Sequence, residues 1–166
     1  MIVTIGGVSV GLAILGRFLT LWWPGRKALS GKHAVDQLSR LLPFLIGWCY
    51  GTLATLALGG IVGWAFDTAV WATSWLGDAA LVWGVGGEWG QTVRSGQYLP
   101  LTGPGHGLML VITACLLAAI RKRPDLLAGM WCGALLGTSA GIAGFAAVPL
   151  AQGVNVSAAA IFGAIA

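Results

Sequence analysis

The side chains that could carry out chemistry are few, and most of them lie in one stretch of the chain. Asp67, Asp78 and Glu88 are three of the five acidic residues, and Arg94 follows them. Two carboxylates held close together could act as a general acid and a general base. The same residues are ordinary for the polar rim of a membrane protein, so an enzyme or transporter that uses these outer-rim acids is the third of three hypotheses.

The histidines and cysteines give no stronger signal for a catalytic or metal site. His106 lies between two glycines, and no second histidine, cysteine or carboxylate stands at ligand spacing from it. His33 and Asp36 are three residues apart, which favours a surface pair. The cysteines each lie in an apolar run, which is typical of small buried side chains: Cys49, Cys115 and Cys132. Because GxSxG, HExxH and P-loop motifs are also absent from the sequence, we predict no catalytic residues, no cofactor and no metal.

The composition indicates a membrane protein. The chain has 166 residues, of which 57% are hydrophobic and 8% are charged, whereas charged residues make up about a quarter of a typical soluble domain. The mean hydropathy is +0.86. We therefore predict an all-α fold in a single membrane domain over residues 1–166. It would be a polytopic integral membrane protein with about four transmembrane helices and an interfacial amphipathic helix.

The apolar stretches define the predicted elements. A helix that crosses about 30 Å of hydrocarbon needs about 20 residues, and the predicted spans lie near residues 2–23, 41–66, 105–120 and 126–148. Glycine and proline interrupt residues 88–104, which are predicted to form the outer loop. Residues 150–166 form an apolar C-terminal tail that is too short to span comfortably.

Residues 67–87 are apolar enough for a fifth span, but two observations favour a helix at the outer interface. A polar stripe runs along one helical face from Asp67 to Asp78. An even number of spans must also separate the two basic loops if both are cytoplasmic. A re-entrant hairpin is the alternative. The tryptophans predicted to anchor the protein at the membrane interfaces are Trp22, Trp23, Trp71, Trp75 and Trp83.

Eight of the nine lysines and arginines lie in two clusters, and this distribution predicts the orientation. The residues assigned to the cytoplasmic side and to contacts with lipid headgroups are Arg26, Lys27, Lys32, Arg40, Arg121, Lys122 and Arg123. Arg17 is expected to extend towards the same headgroups, and the alternative is that it faces the bundle interior and pairs with an acid or a pore. Both termini are then outside, in what we expect to be a bacterial plasma membrane. Aromatic residues are not interleaved with these charges, so nucleic-acid binding is not supported.

Two predicted spans carry small residues at every fourth position. The glycines assigned to helix packing are Gly47, Gly51, Gly59, Gly63, Gly129, Gly133, Gly137 and Gly141. In lipid, such residues let two helix backbones approach closely. A period of four drifts by about 40° per step around a helix of 3.6 residues per turn. Each glycine ladder therefore predicts several close contacts, within the bundle and between subunits.

These patterns favour a non-enzymatic membrane protein that self-associates into a homo-oligomer in the bilayer, with a channel as one form of that assembly. The candidate pore-lining residues are Thr52, Thr55, Thr138, Ser139 and Asn155. The alternative function is an anchor or adaptor subunit of a larger secretion, conjugation or injection machine. If the ladders drive assembly, Gly133→Leu or Gly137→Leu should disrupt it, whereas Ala147→Leu should have little effect.

Overall fold

Most of the described chain is α-helical. The computed structural model describes residues 3–23, 34–55, 60–90, 92–93, 101–137 and 144–164. The helices in these ranges are α1 (Ile5–Trp22), α2 (Ala34–Ala54), α3 (Gly60–Val85), α4 (Gly103–Ile120), α5 (Pro124–Gly137) and α6 (Gly144–Gly163). Two short strands, β1 (Val3–Thr4) and β2 (Thr92–Val93), pair antiparallel with Val3 opposite Val93. Apart from this pairing, the predicted all-α class is confirmed.

Polar residues define where two of the helices begin. The Thr4 side chain accepts a hydrogen bond from the backbone N–H of Gly7 at the start of α1, and Thr102 does the same for Gly105 at the start of α4. Such caps satisfy N–H groups that have no partner within the helix. Helix α5 begins at Pro124, a position where the missing proline N–H is not needed.

The helix boundaries in the middle of the chain differ from the predicted segments. Helix α2 ends at Ala54, and a new helix begins at Gly60, so two helices share the predicted span 41–66. The backbone of Gly60 has a φ of 77°, in the left-handed region that only glycine adopts easily. The predicted interfacial segment 67–87 is not a separate helix, because it continues α3 through Val85.

The C-terminal boundaries differ as well. Helix α5 ends at Gly137 and α6 starts at Gly144, so the predicted span 126–148 is shared between two helices, with residues 138–143 outside the described part. The tail 150–166 contributes most of the 20-residue helix α6. Pro149 directly follows the predicted span 126–148. It lies at the sixth position of α6, where a proline removes a backbone hydrogen bond without stopping the helix.

The core consists of clusters of buried side chains, each shared by several helices. Helices α2, α4, α5 and α6 enclose one cluster, whose most buried members include Met109, Ala147 and Ala151. Helices α1, α3 and α5 enclose a second, around Val70 and Leu135. Ala147 is fully buried. The prediction that Ala147→Leu has little effect therefore loses its basis, because a leucine there would have to fit into a filled core.

Among the described residues, two helices are long and apolar enough to cross a membrane. They are α1 and α4, each with 18 residues, and their mean hydropathies are 1.6 and 1.8. Only 17% and 11% of these two segments is buried inside the protein. Length and composition thus agree with a membrane location, while the four predicted spans stay a prediction.

Candidate helix-packing and membrane-facing sites

Glycines of α2 and α5 bring the two helix backbones into direct contact. A Cβ atom built on Gly47 or Gly51 would overlap backbone carbonyl oxygens of α5, and one built on Gly129 or Gly133 would overlap those of α2. The carbonyls concerned belong to Leu126, Met130, Phe44 and Trp48. The two predicted ladders therefore face each other within a single chain.

The order of these contacts shows that α2 and α5 run parallel. Gly129 lies against Phe44, Gly133 lies against Trp48, and a Cβ on Gly137 would be 3.0 Å from the Cα of Thr52. The contact advances by four residues on both helices at each step. Of the remaining ladder glycines, Gly63 is buried on α3, and Gly59 and Gly141 lie outside the described residues.

One threonine hydroxyl reaches from α2 to α5, and a second bonds back to α2 itself. The Oγ1 of Thr52, a fully buried residue, is 2.9 Å from the Trp48 carbonyl oxygen and 3.4 Å from that of Gly133. The Thr55 hydroxyl donates to the Thr52 carbonyl at 2.7 Å. These two candidate pore-lining hydroxyls thus lie in the helix packing, while Thr138 and Ser139 are outside the described residues.

Polar side chains also join α4 to its neighbours. The Asn155 Oδ1 accepts hydrogen bonds from the backbone N–H and the hydroxyl of Thr102, at 3.0 Å and 3.1 Å. The hydroxyls of Tyr50 on α2 and Thr113 on α4 are 2.6 Å apart. Asn155, the last of the five candidate pore-lining residues, therefore joins α6 to the start of α4.

A second close contact, between α1 and α3, was not predicted. The backbones of Gly6 and Gly77 approach so closely that a Cβ on either would overlap the other residue. The backbone N–H of Gly6 donates to the Asp78 Oδ1 at 3.2 Å, and Asp78 is only 7% exposed. No pattern along α1 or α3 alone indicated this contact, because it depends on how the two helices meet.

The buried carboxylate of Asp78 explains how α1 is held at its first turn. The positive end of the α1 dipole favours a negative charge there, and the first N–H groups of a helix have no partner within the helix itself. The neighbouring Ser74 Oγ is buried with no hydrogen-bond partner in the described part of the chain, and it lies where a Cβ on Gly7 would come within 2.5 Å. Asp78 is thus an internal residue, and the predicted polar stripe does not form one exposed face.

Removal of the Asp78 carboxylate should destabilise the protein. Asp78→Ala leaves the Gly6 N–H buried without its acceptor, a loss of about 1–3 kcal/mol in the free energy of unfolding. Asp67→Ala, on the same helix but exposed, should stay within about 0.5 kcal/mol of the parent protein. Thermal unfolding of the purified proteins in one detergent would measure both changes, and equal stabilities would contradict the buried contact.

The other candidate residues for chemistry are dispersed. Asp67 and Asp78 lie 11 positions apart on one helix, about 16 Å along its axis, so they do not form a carboxylate pair. Glu88 is exposed after α3, and Arg94 is outside the described residues. The His106 Nδ1 is 2.9 Å from the Thr102 carbonyl oxygen. Within the described ranges, no group of three or more His, Cys, Asp or Glu side chains could hold a metal ion.

The described basic residues gather at one end of the bundle. Arg40 lies near the start of α2 and the turn 121–123 directly precedes α5; because these helices run parallel, both groups are at the same end. Arg17 adjoins Phe18, whose ring stacks on that of Phe44 with centroids 3.9 Å apart. Arg26, Lys27 and Lys32 are outside the described residues.

Most of the predicted tryptophan anchors are exposed on the outside of the helix bundle. Trp71, Trp75 and Trp83 on α3 are 64%, 59% and 83% exposed. Trp23, directly after α1, is also exposed, and Trp22 is half-buried. Large aliphatic side chains share this outer surface, including Leu21 at 69% and Ile61 at 84% exposed. An apolar exterior of this kind is the expected surface of a protein that faces lipid.

No family model, curated protein or solved structure matches this chain.

Proposed function

We propose that the chain is a non-enzymatic integral membrane protein, a helical bundle that closes on itself through its glycine ladders and associates with further copies through its outer faces. The observation that carries this proposal is the apolar exterior. Side chains as large as Trp64 and Trp83 are 71% and 83% exposed. Extended apolar surfaces of this kind mark contact with a membrane or another protein.

The charge distribution supports a defined orientation in that membrane. The basic end contains Arg17, Arg40 and the turn 121–123, and cytoplasmic loops are enriched in such residues. Helix α1 has 18 residues and so rises about 27 Å from its first turn to this end. Strands β1 and β2 then lie at the outer side. We place the basic end in the cytoplasm, and a bacterial plasma membrane is the proposed location.

Self-association has to use a surface other than the α2–α5 ladders. Gly47, Gly51, Gly129 and Gly133 are already in contact within one chain, so the outer faces of the helices are the surfaces left for copies of the protein. The buried hydroxyls of Thr52 and Thr55 support the packing of a single chain and not a channel through it. A channel would therefore form between subunits.

Alkaline carbonate extraction of native membranes tests membrane integration. The protein should stay in the membrane pellet, because its apolar exterior is held by lipid and not by ionic contacts. Release into the supernatant would contradict the proposal. The mass of the protein in lipid nanodiscs then tests self-association. Multiples of 17.0 kDa are expected, and a monomer at every concentration would contradict the proposed self-association. Flux through liposomes would distinguish a channel from a packed assembly.

The basic end favours one alternative, an anchor or adaptor that binds a larger machine. Five described cations at one end could bind an acidic partner in the cytoplasm: Arg17, Arg40, Arg121, Lys122 and Arg123. Replacing the last three by glutamine should then release a co-purifying partner without changing extraction by carbonate. If the variant neutralised at residues 121–123 keeps every co-purifying protein, the role as an anchor or adaptor is not supported.

A further inference from the structure

An open apolar groove separates α3 from α5. Its volume is about 160 Å³, and its lining consists of Ala65, Phe66, Ala69 and Val70 from α3 and Leu127, Met130, Trp131 and Ala134 from α5. The alanines leave the space between the two helices, because their side chains are too short to cross it. Ala65 and Leu127 are exposed, so the groove is open on one side.

The size and lining of the groove suit an apolar ligand. An apolar cavity of about 150 Å³ stays dry and takes up small hydrocarbons. No charged side chain lines this groove. From Leu127 to Ala134, α5 advances about 10 Å, so the residues that line the groove extend about 10 Å along this helix. A segment of hydrocarbon chain matches both its shape and its chemistry.

Basic residues lie immediately beside one end of the groove. Leu127 follows Arg123 by four positions, about 6 Å of helix rise. Arg121, Lys122 and Arg123 are exposed and carry three positive charges, of which Asp125 in the first turn of α5 offsets one, leaving two. The start of α5 also presents its positive dipole end, which favours a phosphate group.

We infer that this groove binds an anionic phospholipid, with an acyl chain between α3 and α5 and the phosphate at Arg121–Arg123. The inference rests on the proposed membrane location. In that location, the basic turn lies at the headgroup level and the groove continues from it towards the centre of the bilayer. The basic turn thus lies where the phosphate of a phospholipid would be, and the apolar groove lies where its acyl chain would be.

Photo-crosslinking locates the lipid directly. The purified protein would be placed in phosphatidylcholine nanodiscs that contain a small amount of phosphatidylglycerol with a diazirine on its acyl chain. After irradiation, labelled peptides should map to residues 65–70 and 127–134. The same diazirine on phosphatidylcholine should label these residues less. Equal labelling by the two lipids, or labelling spread evenly over all helices, would overturn the inference.

Two variants measure what each part of the site contributes. Neutralising one basic residue, as in Arg123→Gln, should weaken phosphatidylglycerol retention in native mass spectrometry about fivefold, the change that corresponds to about 1 kcal/mol. Ala69→Phe fills the groove and should abolish the preference for the anionic lipid. Ala80→Phe, an exposed position on the same helix, is the matched control. The inference fails if Ala69→Phe behaves like Ala80→Phe while both proteins remain folded.

The outcomes separate this inference from the proposed function. A protein that is extracted by carbonate is not an integral membrane protein, and both proposals then fail. A protein that stays in the membrane pellet but shows no preference for the anionic lipid keeps its proposed function and loses the lipid site.

Discussion

Replacing Gly133 by alanine should strongly destabilise the folded bundle. The added methyl group would overlap the Trp48 carbonyl, and a backbone atom cannot move aside as the end of a flexible side chain can. Overpacking of a well-filled core usually costs about 1–3 kcal/mol, and here α5 must shift away from α2. We expect a loss of about 3 kcal/mol, against a total stability of about 5–15 kcal/mol.

Two other glycines provide graded controls for this substitution. A Cβ on Gly137 would lie 3.0 Å from the nearest atom of Thr52, so Gly137→Ala should destabilise the protein less. A Cβ on Gly153 of α6 would have nothing within 4 Å, and Gly153→Ala should be neutral or gain up to about 1 kcal/mol from helix propensity. Thermal unfolding in a single detergent would rank the three, and a Gly133→Ala protein as stable as Gly153→Ala would contradict the α2–α5 contact.

Replacing Gly77 by valine should detach α1 from α3. The first added carbon would already overlap the backbone of Gly6, and the valine branches would widen the overlap. The contact between the Gly6 N–H and Asp78 would be lost with it. Gly84 lies seven residues further along α3 and has open space around it. Gly84→Val therefore controls for the effect of valine on helix propensity.

The thiol of Cys132 reports whether α1 has moved. It is fully buried, and its Sγ lies 3.5 Å from the Gly11 carbonyl oxygen of α1. In a Cys49→Ser, Cys115→Ser background and in detergent, Cys132 should react slowly with a maleimide in the parent and in Gly84→Val. It should react much faster in Gly77→Val. Equal rates in all three proteins would show that α1 does not depend on this contact.

The sequence was informative about the glycine ladders. The glycine period indicated that the backbones at Gly47–Gly51 and Gly129–Gly137 approach another helix, because in lipid small residues allow close packing of helices. It did not show which helix that neighbour is. A ladder has the same appearance whether it meets a second ladder in the same chain or one in a second copy.

Features that depend on tertiary contacts were not predictable. Asp78 belonged to a polar stripe by periodicity, yet the approach of Gly6 to Gly77 encloses it and gives its carboxylate an internal partner. Helix α3 begins at Gly60, whose positive φ nothing in the sequence distinguishes from the other glycines of the chain. Ala147 lay near the end of a predicted span and is instead fully buried, because α6 packs it into the cluster shared with α2, α4 and α5.

A disulfide between α2 and α5 tests most directly whether the ladders close within one chain. A Cβ on Gly137 lies 3.4 Å from the Cβ of Thr52, close to the range of about 3.5–4.5 Å found in disulfides. In native membranes, and with the three natural cysteines replaced by alanine, a Thr52→Cys, Gly137→Cys protein should oxidise to a cross-linked monomer. Separately tagged single variants expressed together should give no covalent dimer. A disulfide-linked dimer of the two single variants would contradict the account, because it would place the ladders between subunits.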